Sequence, residues 1–190
     1  MPIQEHIETR TKCPLCLSSE ISQGIEPHVN LNFPILPVCV DELRENDDFA
    51  PFTICICENC GLILLKDVVN PEILYKIFHS DGIGKIWEAH YSEFADLIKK
   101  HIPSGKLLEI GGGQGKLITK LLEKYNSGVE VVDPLYEGPT ENVKVHKTIL
   151  SEETAPDFGQ EFDAVLSSHT LEHFLEFNNI WGFVPMLCEL

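Results

Sequence analysis

Four glycines fall within five positions at Gly111-Gly112-Gly113-Gln114-Gly115, directly after the apolar run Leu107–Ile110 and before a helical pattern over 117–125. A strand that turns on glycines into a helix is where an α/β sheet presents a ligand to main-chain amides. A dinucleotide fingerprint GxGxxG would need glycine at position 116, which is lysine, and no GK[ST] follows to make a phosphate-binding P-loop. What remains is the acidic Glu109 followed by GxGxG. The next apolar run, Val129–Val132, ends at Asp133, 22 residues after Gly111, and a carboxylate there can accept both hydroxyls of a ribose. With Val143–His146 and residues 162–166 as further strands, the alternation predicts four strands in a parallel sheet with helices on its faces, an α/β fold. Residues 181–190 are apolar and fit either a fifth strand or a helical turn.

Upstream, Ile86, Trp87, Tyr91, Phe94, Ala95, Leu97 and Ile98 recur at helical spacing until Pro103 and Gly105 stop the pattern. A shorter helix is expected after the cap Asn70 and Pro71, carried by Ile73, Leu74, Ile77 and Phe78. The first 66 residues are rich in cysteine, proline and turn formers, with short strands expected over 52–56 and 62–65. The predicted organisation is a metal-binding module over 1–68, a helical connector over 69–104 and the sheet domain over 105–190.

Seven cysteines are an odd number for a disulfide framework, and four form two CxxC pairs, Cys13-Pro14-Leu15-Cys16 and Cys57-Glu58-Asn59-Cys60. Each pair puts two thiolates on one tight turn, and together they complete a tetrahedral zinc site. Gly61, after the second pair, suits a turn that needs a positive φ. Four thiolates leave no open position for water, so the expected zinc is structural. Cys55 competes as a ligand, since it lies two residues before Cys57 in a predicted strand. Cys39 and Cys188 read as small buried hydrophobes.

Thirty acidic residues against 14 basic ones give a formal charge of -16, which repels a phosphate backbone, so nucleic acid is not an expected partner. The region 1–68 alone holds 11 acids and four bases, which argues against RNA held by the cysteine module. Residues 101–150 carry six charges of each sign while 151–190 hold eight acids and no base, which places any anionic ligand near the middle. No stretch approaches the roughly 18 apolar residues of a membrane span. The polar start of the chain and the paired cysteines together favour a cytoplasmic protein.

With its acidic residue before GxGxG and an acid closing the second strand, the sequence resembles the class I S-adenosylmethionine-dependent methyltransferases. The resemblance extends to those with an N-terminal zinc-binding domain, a group that includes sugar C-methyltransferases acting on nucleotide-linked deoxysugars. It is carried by the CPLC knuckle, by Gly24-Ile25-Glu26-Pro27-His28-Val29-Asn30, by CENCGLIL from Cys57 to Leu64 and by EIGGGQG. The stretch Tyr75-Lys76-Ile77-Phe78-His79-Ser80 matches the family's aromatic and serine-containing segment only in part. The resemblance implies an incomplete Rossmann-like sheet behind a small zinc-ribbon-like module. It also implies cofactor contacts from Glu109, Gly111, Gly112, Gly113, Gly115, Asp133, Pro134, Leu150 and Ser168, and zinc ligation by Cys13, Cys16, Cys57 and Cys60.

Methyl transfer needs the acceptor aligned and, where it carries a proton, a base. Ser167-Ser168-His169-Thr170-Leu171-Glu172-His173 follows the fourth predicted strand on the acceptor side, which makes His169 and His173 the candidate bases. Class I sheets usually have seven strands, and only 75 residues follow Gly115. The expectation is a C-terminally shortened member acting on a small-molecule acceptor, with slow turnover and association through the open sheet edge. The alternative is a cofactor-binding or scaffolding protein without catalysis; an RNA methyltransferase has the right architecture but the wrong charge in its cysteine module.

Overall fold

The computed structural model describes residues 3–22, 32–34, 49–51, 53–70, 82–125, 128–150 and 162–174. The chain forms two compact units, Met1–His79 and Ser80–Leu190. The expected helix over 71–78, the segments 24–30 and 75–80, Cys39, Cys188 and residues 181–190 lie outside the described residues.

In the first unit a single 3-10 turn, Ile3–His6, leads into β1 (Ile7–Thr9). It is followed by β2 (Asn32–Pro34), β3 (Phe49–Pro51), β4 (Ile54–Ile56), β5 (Ile63–Leu65) and β6 (Asp67–Val69). These short strands pair antiparallel as β1 with β6, β2 with β3 and β4 with β5. The hairpin β4–β5 alternates as its period of two demands: Cys55 and Leu64 face each other in the interior, while Ile56 and Ile63 form the outer pair.

The second unit opens with α1 (Lys85–His101), whose buried stripe is Ala95 and Ile98 and whose last turn carries Lys99, Lys100 and His101, cations that suit the helix dipole. Then come β7 (Leu107–Ile110), α2 (Lys116–Leu122), β8 (Val129–Val132), β9 (Val143–His146) and β10 (Ala164–Ser167). The four strands form one parallel sheet in the order β10-β7-β8-β9. Every residue of the two central strands is buried, as expected for a parallel sheet covered on both faces. On one face Leu107, Val129, Val131 and Leu166 pack with Ala95 and Ile98 of α1 and Leu117, Ile118 and Leu121 of α2. On the other, Leu108, Ile110 and Val132 meet Leu150 and Phe162. Lys99 ties the helices together, its Nζ donating to the carbonyls of Pro103 and Lys124 at 2.6 and 2.9 Å and lying 4.3 Å above the Tyr125 ring.

The fourth strand starts two residues later than the sequence suggests. Asp163 precedes it; its carboxylate accepts the Lys106 amide at 2.7 Å and its own amide donates to Lys106 O at 2.9 Å, so the chain enters the sheet with both side chain and main chain tied to Lys106. Helix α2 is shorter than 117–125 because the amides of Lys124 and Tyr125 both return to the Leu121 carbonyl, closing a turn that still buries Tyr125.

Candidate functional site

The two knuckles of the first unit are built alike. The Cys13 amide donates to Ser18 O and the Cys57 amide to Leu62 O, at 2.8 and 2.9 Å, while Leu17 and Gly61 donate back to Cys13 O and Cys57 O. Leu17 and Gly61 both take positive φ, 60° and 76°, so the first knuckle imposes on leucine the backbone that glycine supplies in the second. Residues 20–22 bring the knuckles together: Ile21 bridges Cys57, Glu58 N donates to Glu20 O, and Ser22 N donates to Ile56 O. This is how Cys16 and Cys57, with 40 residues between them in sequence, meet.

The sulfurs of Cys13, Cys16, Cys57 and Cys60 all lie within 4.8 Å of one another, with Cys13 to Cys60 and Cys16 to Cys57 at 3.6 Å. A tetrahedron with metal–sulfur bonds of about 2.3 Å has edges of about 3.8 Å, so the spacing fits a zinc ion. Cys55 is outside this group; it is buried against Cys13, Cys57 and Leu64, and desolvation raises its thiol pKa. Cys16 is pulled down to about 6 by the Asn59 side chain, then by the Ser18 backbone and the neighbouring cysteines, against some desolvation. Cys60 goes the other way, up to about 12: the Leu62 backbone lowers it, but desolvation and the three other sulfurs outweigh that pull. Opposite shifts on Cys16 and Cys60 are what close sulfurs adopt without a cation, and a divalent ion favours thiolate ligands.

In the second unit the glycine turn leaves β7 at the carboxyl edge of the sheet. Gly111 and Gly115 have φ of 80° and 72°, and neither has room for a side chain. A Cβ on Gly111 would sit 2.2 Å from Thr170 Oγ1, and one on Gly115 2.6 Å from the Gly138 backbone. Asp133 closes β8 beside the turn, accepting the Gly113 amide at 3.0 Å on one oxygen and the Leu135 amide at 2.7 Å on the other. Each oxygen keeps a second lone pair for a ligand hydroxyl. Gly113 O in turn accepts Glu137 N at 3.0 Å, so the turn and the segment after β8 form one hydrogen-bonded cradle. Tyr136 packs under it with its hydroxyl on Pro139 O at 2.8 Å; desolvation, then the charges of Glu109 and Asp133, raise its pKa. Glu109 is buried in β7, Pro134 is half-buried after Asp133, and Leu150 packs in the second core face.

At the end of β10, next to the turn, Ser168 Oγ lies 2.9 Å from Nε2 of His90, a residue of α1. His169 adopts φ 54°, a left-handed backbone rare for histidine, and its ring meets Trp87 edge-on at 4.8 Å and His90 at 5.4 Å. Its Nδ1 is 3.8 Å from the Glu172 carboxylate, and both side chains are more than half exposed. His173 is exposed one turn further on. His90 was not among the expected residues, although it stands at helical spacing between Trp87 and Phe94 in the predicted stripe. A groove of about 560 Å³ lined by Lys106, Glu130 and Lys144 lies at the opposite, amino edge of the strands.

Residues 86–180 match the protein family described as "Methyltransferase domain", half of the chain. The chain belongs to this family. The sheet and its glycine turn are therefore the Rossmann-like fold of a class I methyltransferase domain. Solved structures similar to this methyltransferase domain include a cyclopropane-fatty-acyl-phospholipid synthase-like protein from Lactobacillus casei, 23% identical over 59% of this chain and 51% of that one, TM-score 0.43. Others are CalS10, an amino pentose methyltransferase from Micromonospora echinaspora (20%; 48% and 45%; TM-score 0.31), and the sugar N-methyltransferase KedS8 from Streptoalloteichus (18%; 48% and 43%; TM-score 0.31). The chain spans about half the length of these proteins. Among curated proteins none matches its sequence. Among the described residues no helix is long and apolar enough to cross a membrane.

Proposed function

We propose that this chain binds S-adenosylmethionine at the glycine turn and transfers its methyl group to a small molecule, a nucleotide-linked sugar or a metabolite of similar kind. The observation that carries the reading is the cradle of Gly111–Gly115 and Asp133 at the carboxyl edge of a methyltransferase sheet. The cofactor when bound supplies an electrophilic methyl group on a sulfonium. The chain's own residues do the rest: Asp133 holds ribose hydroxyls, the turn's amides and Glu109 fix the polar ends, and the Ser168–His173 segment faces the acceptor. His169 and His173, the candidate bases in the sequence, belong to that segment; both are exposed, and His169 is turned toward Glu172.

Cys13, Cys16, Cys57 and Cys60 hold a structural zinc ion, a role that suits a reducing cytoplasmic setting with these thiols free. The decisive experiment is calorimetry with S-adenosylmethionine, its demethylated product and a nicotinamide dinucleotide, followed by methyl-transfer assays on nucleotide-linked sugars. Binding of the first two alone is expected. Gly115→Val should abolish it, because the added side chain meets Gly138 backbone. Undiminished binding in that variant would place the ligand elsewhere, and binding without turnover would favour the scaffolding reading.

A further inference from the structure

We infer that Ser168 and His90 act as a couple that takes the proton of the methyl acceptor, which makes the acceptor a hydroxyl or an amine that loses a proton on methylation. The inference rests on the proposed methyltransferase activity and adds to it which groups handle the proton.

Ser168 follows β10 directly, and Ser167 pairs in register with Ile110, so Ser168 stands beside Gly111 at the ligand edge of the sheet. Its hydroxyl is 2.9 Å from His90 Nε2. The His90 ring is held on several sides, by Trp87 at 5.7 Å, Tyr91 at 5.2 Å, Phe94 at 6.1 Å and His169 at 5.4 Å between centroids. In this packing Nε2 of the imidazole lies on the serine. Among the described residues, the titratable groups facing it are Tyr91 on its own helix and His169 from the segment after β10, behind which Glu172 lies near His169. His169, by contrast, is more than half exposed and spends its Nδ1 toward Glu172.

A neutral His90 with Nε2 unprotonated accepts the Ser168 hydroxyl and turns the serine lone pairs outward. As the acceptor is methylated, its O–H or N–H bond breaks and the electron pair stays on the nucleophilic atom for the new bond to carbon. Ser168 Oγ takes that proton while passing its own to His90 Nε2. The serine ends unchanged and His90 ends as imidazolium. The positive charge that enters with the methyl donor thus leaves as a proton, which His90 releases to water.

The test combines nitrogen spectra of the histidine rings in the full chain with kinetics of two variants. Long-range proton–nitrogen correlation is expected to show neutral His90 with hydrogen on Nδ1 and none on Nε2, and Ser168→Ala should move the Nε2 signal. Hydrogen on Nε2, or an Nε2 signal indifferent to Ser168→Ala, would overturn the couple whether or not the chain turns over. His90→Gln keeps a hydrogen-bonding partner for Ser168 but cannot accept its proton. It is expected to bind S-adenosylmethionine as the wild type does and to lose about 10²- to 10⁴-fold in rate. Wild-type rate in His90→Gln would overturn the proton role. A wild-type chain that fails to bind S-adenosylmethionine would instead overturn the proposed activity, leaving the couple to be judged by the spectra.

Discussion

The cysteine knuckles and the glycine turn solve the same local problem by different means. Both use left-handed residues to fold main chain tightly around a site, Leu17 and Gly61 in one, Gly111, Gly113 and Gly115 in the other. What stands behind them differs. Among the described residues, the cluster beneath the knuckles is Cys13, Cys55, Cys57 and Leu64, so the candidate ligands are themselves half of their core. The glycine turn rests on two buried strands with packed faces on both sides, including Leu107, Ile118, Leu121 and Val131 at essentially no exposure. A site whose core is its own ligand set depends on the ion, whereas the sheet stands without its ligand.

The sharpest way to break this contrast is to remove one thiolate. Cys13→Ser or Cys60→Ser is expected to take zinc content from about one per chain to none and to abolish amide protection in β4 and β5, while β7 and β8 stay protected. The scale is that of structural zinc, about 10–16 kcal/mol of apparent binding at neutral pH. Hydrogen exchange together with elemental analysis reads both units at once. Full zinc in either variant would show that the knuckles do not form one site.

The converse variant is Ile118→Ala, at a fully buried position between α2 and the sheet. It should cost the sheet domain about 2–5 kcal/mol, read from denaturant melts, with zinc content unchanged. Loss of zinc along with sheet stability would mean that the two units fold as one.

These expectations also show what the sequence carries openly. The strands Leu107–Ile110, Val129–Val132 and Val143–His146 are legible to the residue, because each is a short apolar or β-branched run bounded by glycine, aspartate or a polar turn. The start of β10 is not, since Phe162 is as apolar as the strand yet is buried ahead of it, and Asp163 meets Lys106 with its side chain as well as its main chain. Cys55 is ambiguous in sequence, because a strand places residues 55 and 57 on one side; only the hairpin pairing with Leu64 shows it turned into the core. The left-handed Leu17 carries no sequence signal at all, unlike Gly61. His90 has one, its place in an aromatic stripe at i, i+3, i+4 and i+7 from Trp87, yet a histidine on an amphipathic helix declares a role only when Ser168 arrives from 78 residues away.

A smaller effect belongs to the sheet's own site. Asp133→Ala should weaken binding of S-adenosylmethionine by about 1.5–3 kcal/mol, the range for hydrogen bonds to a charged group, as calorimetry would report. The same substitution frees the Gly113 and Leu135 amides, so part of the loss would come from a looser turn. Asp133→Asn helps to separate the two contributions: its amide oxygen keeps one of the two main-chain bonds while its NH2 faces the other N–H, so it should lose less melting stability than Asp133→Ala while still binding more weakly. Equal binding by wild type and both variants would remove Asp133 from the site.

The smallest expected effect is a pH dependence confined to the metal-free knuckles. Cys16 is depressed from the ordinary thiol value of 9.0 to about 6, so its thiolate favours the folded module above pH 9, and that contribution declines as pH falls from 9 toward 6. Cys60 is raised from 9.0 to about 12, so its thiol favours the folded module below pH 9, and that contribution declines as pH climbs from 9 toward 12. The zinc-free module should therefore be most stable near pH 9 and weaken on both sides. Both groups are reached by solvent, so screening keeps the effect small. Hydrogen exchange in β4 and β5, corrected for intrinsic rates and compared with β7 and β8, measures it. Cys16→Ser should flatten the acid side and Cys60→Ser the alkaline side, and the β7 and β8 amides should follow neither. A stability that rises steadily with pH through 9 would mean that Cys60 shares the thiolate with Cys16 instead of remaining its hydrogen-bonded thiol neighbour.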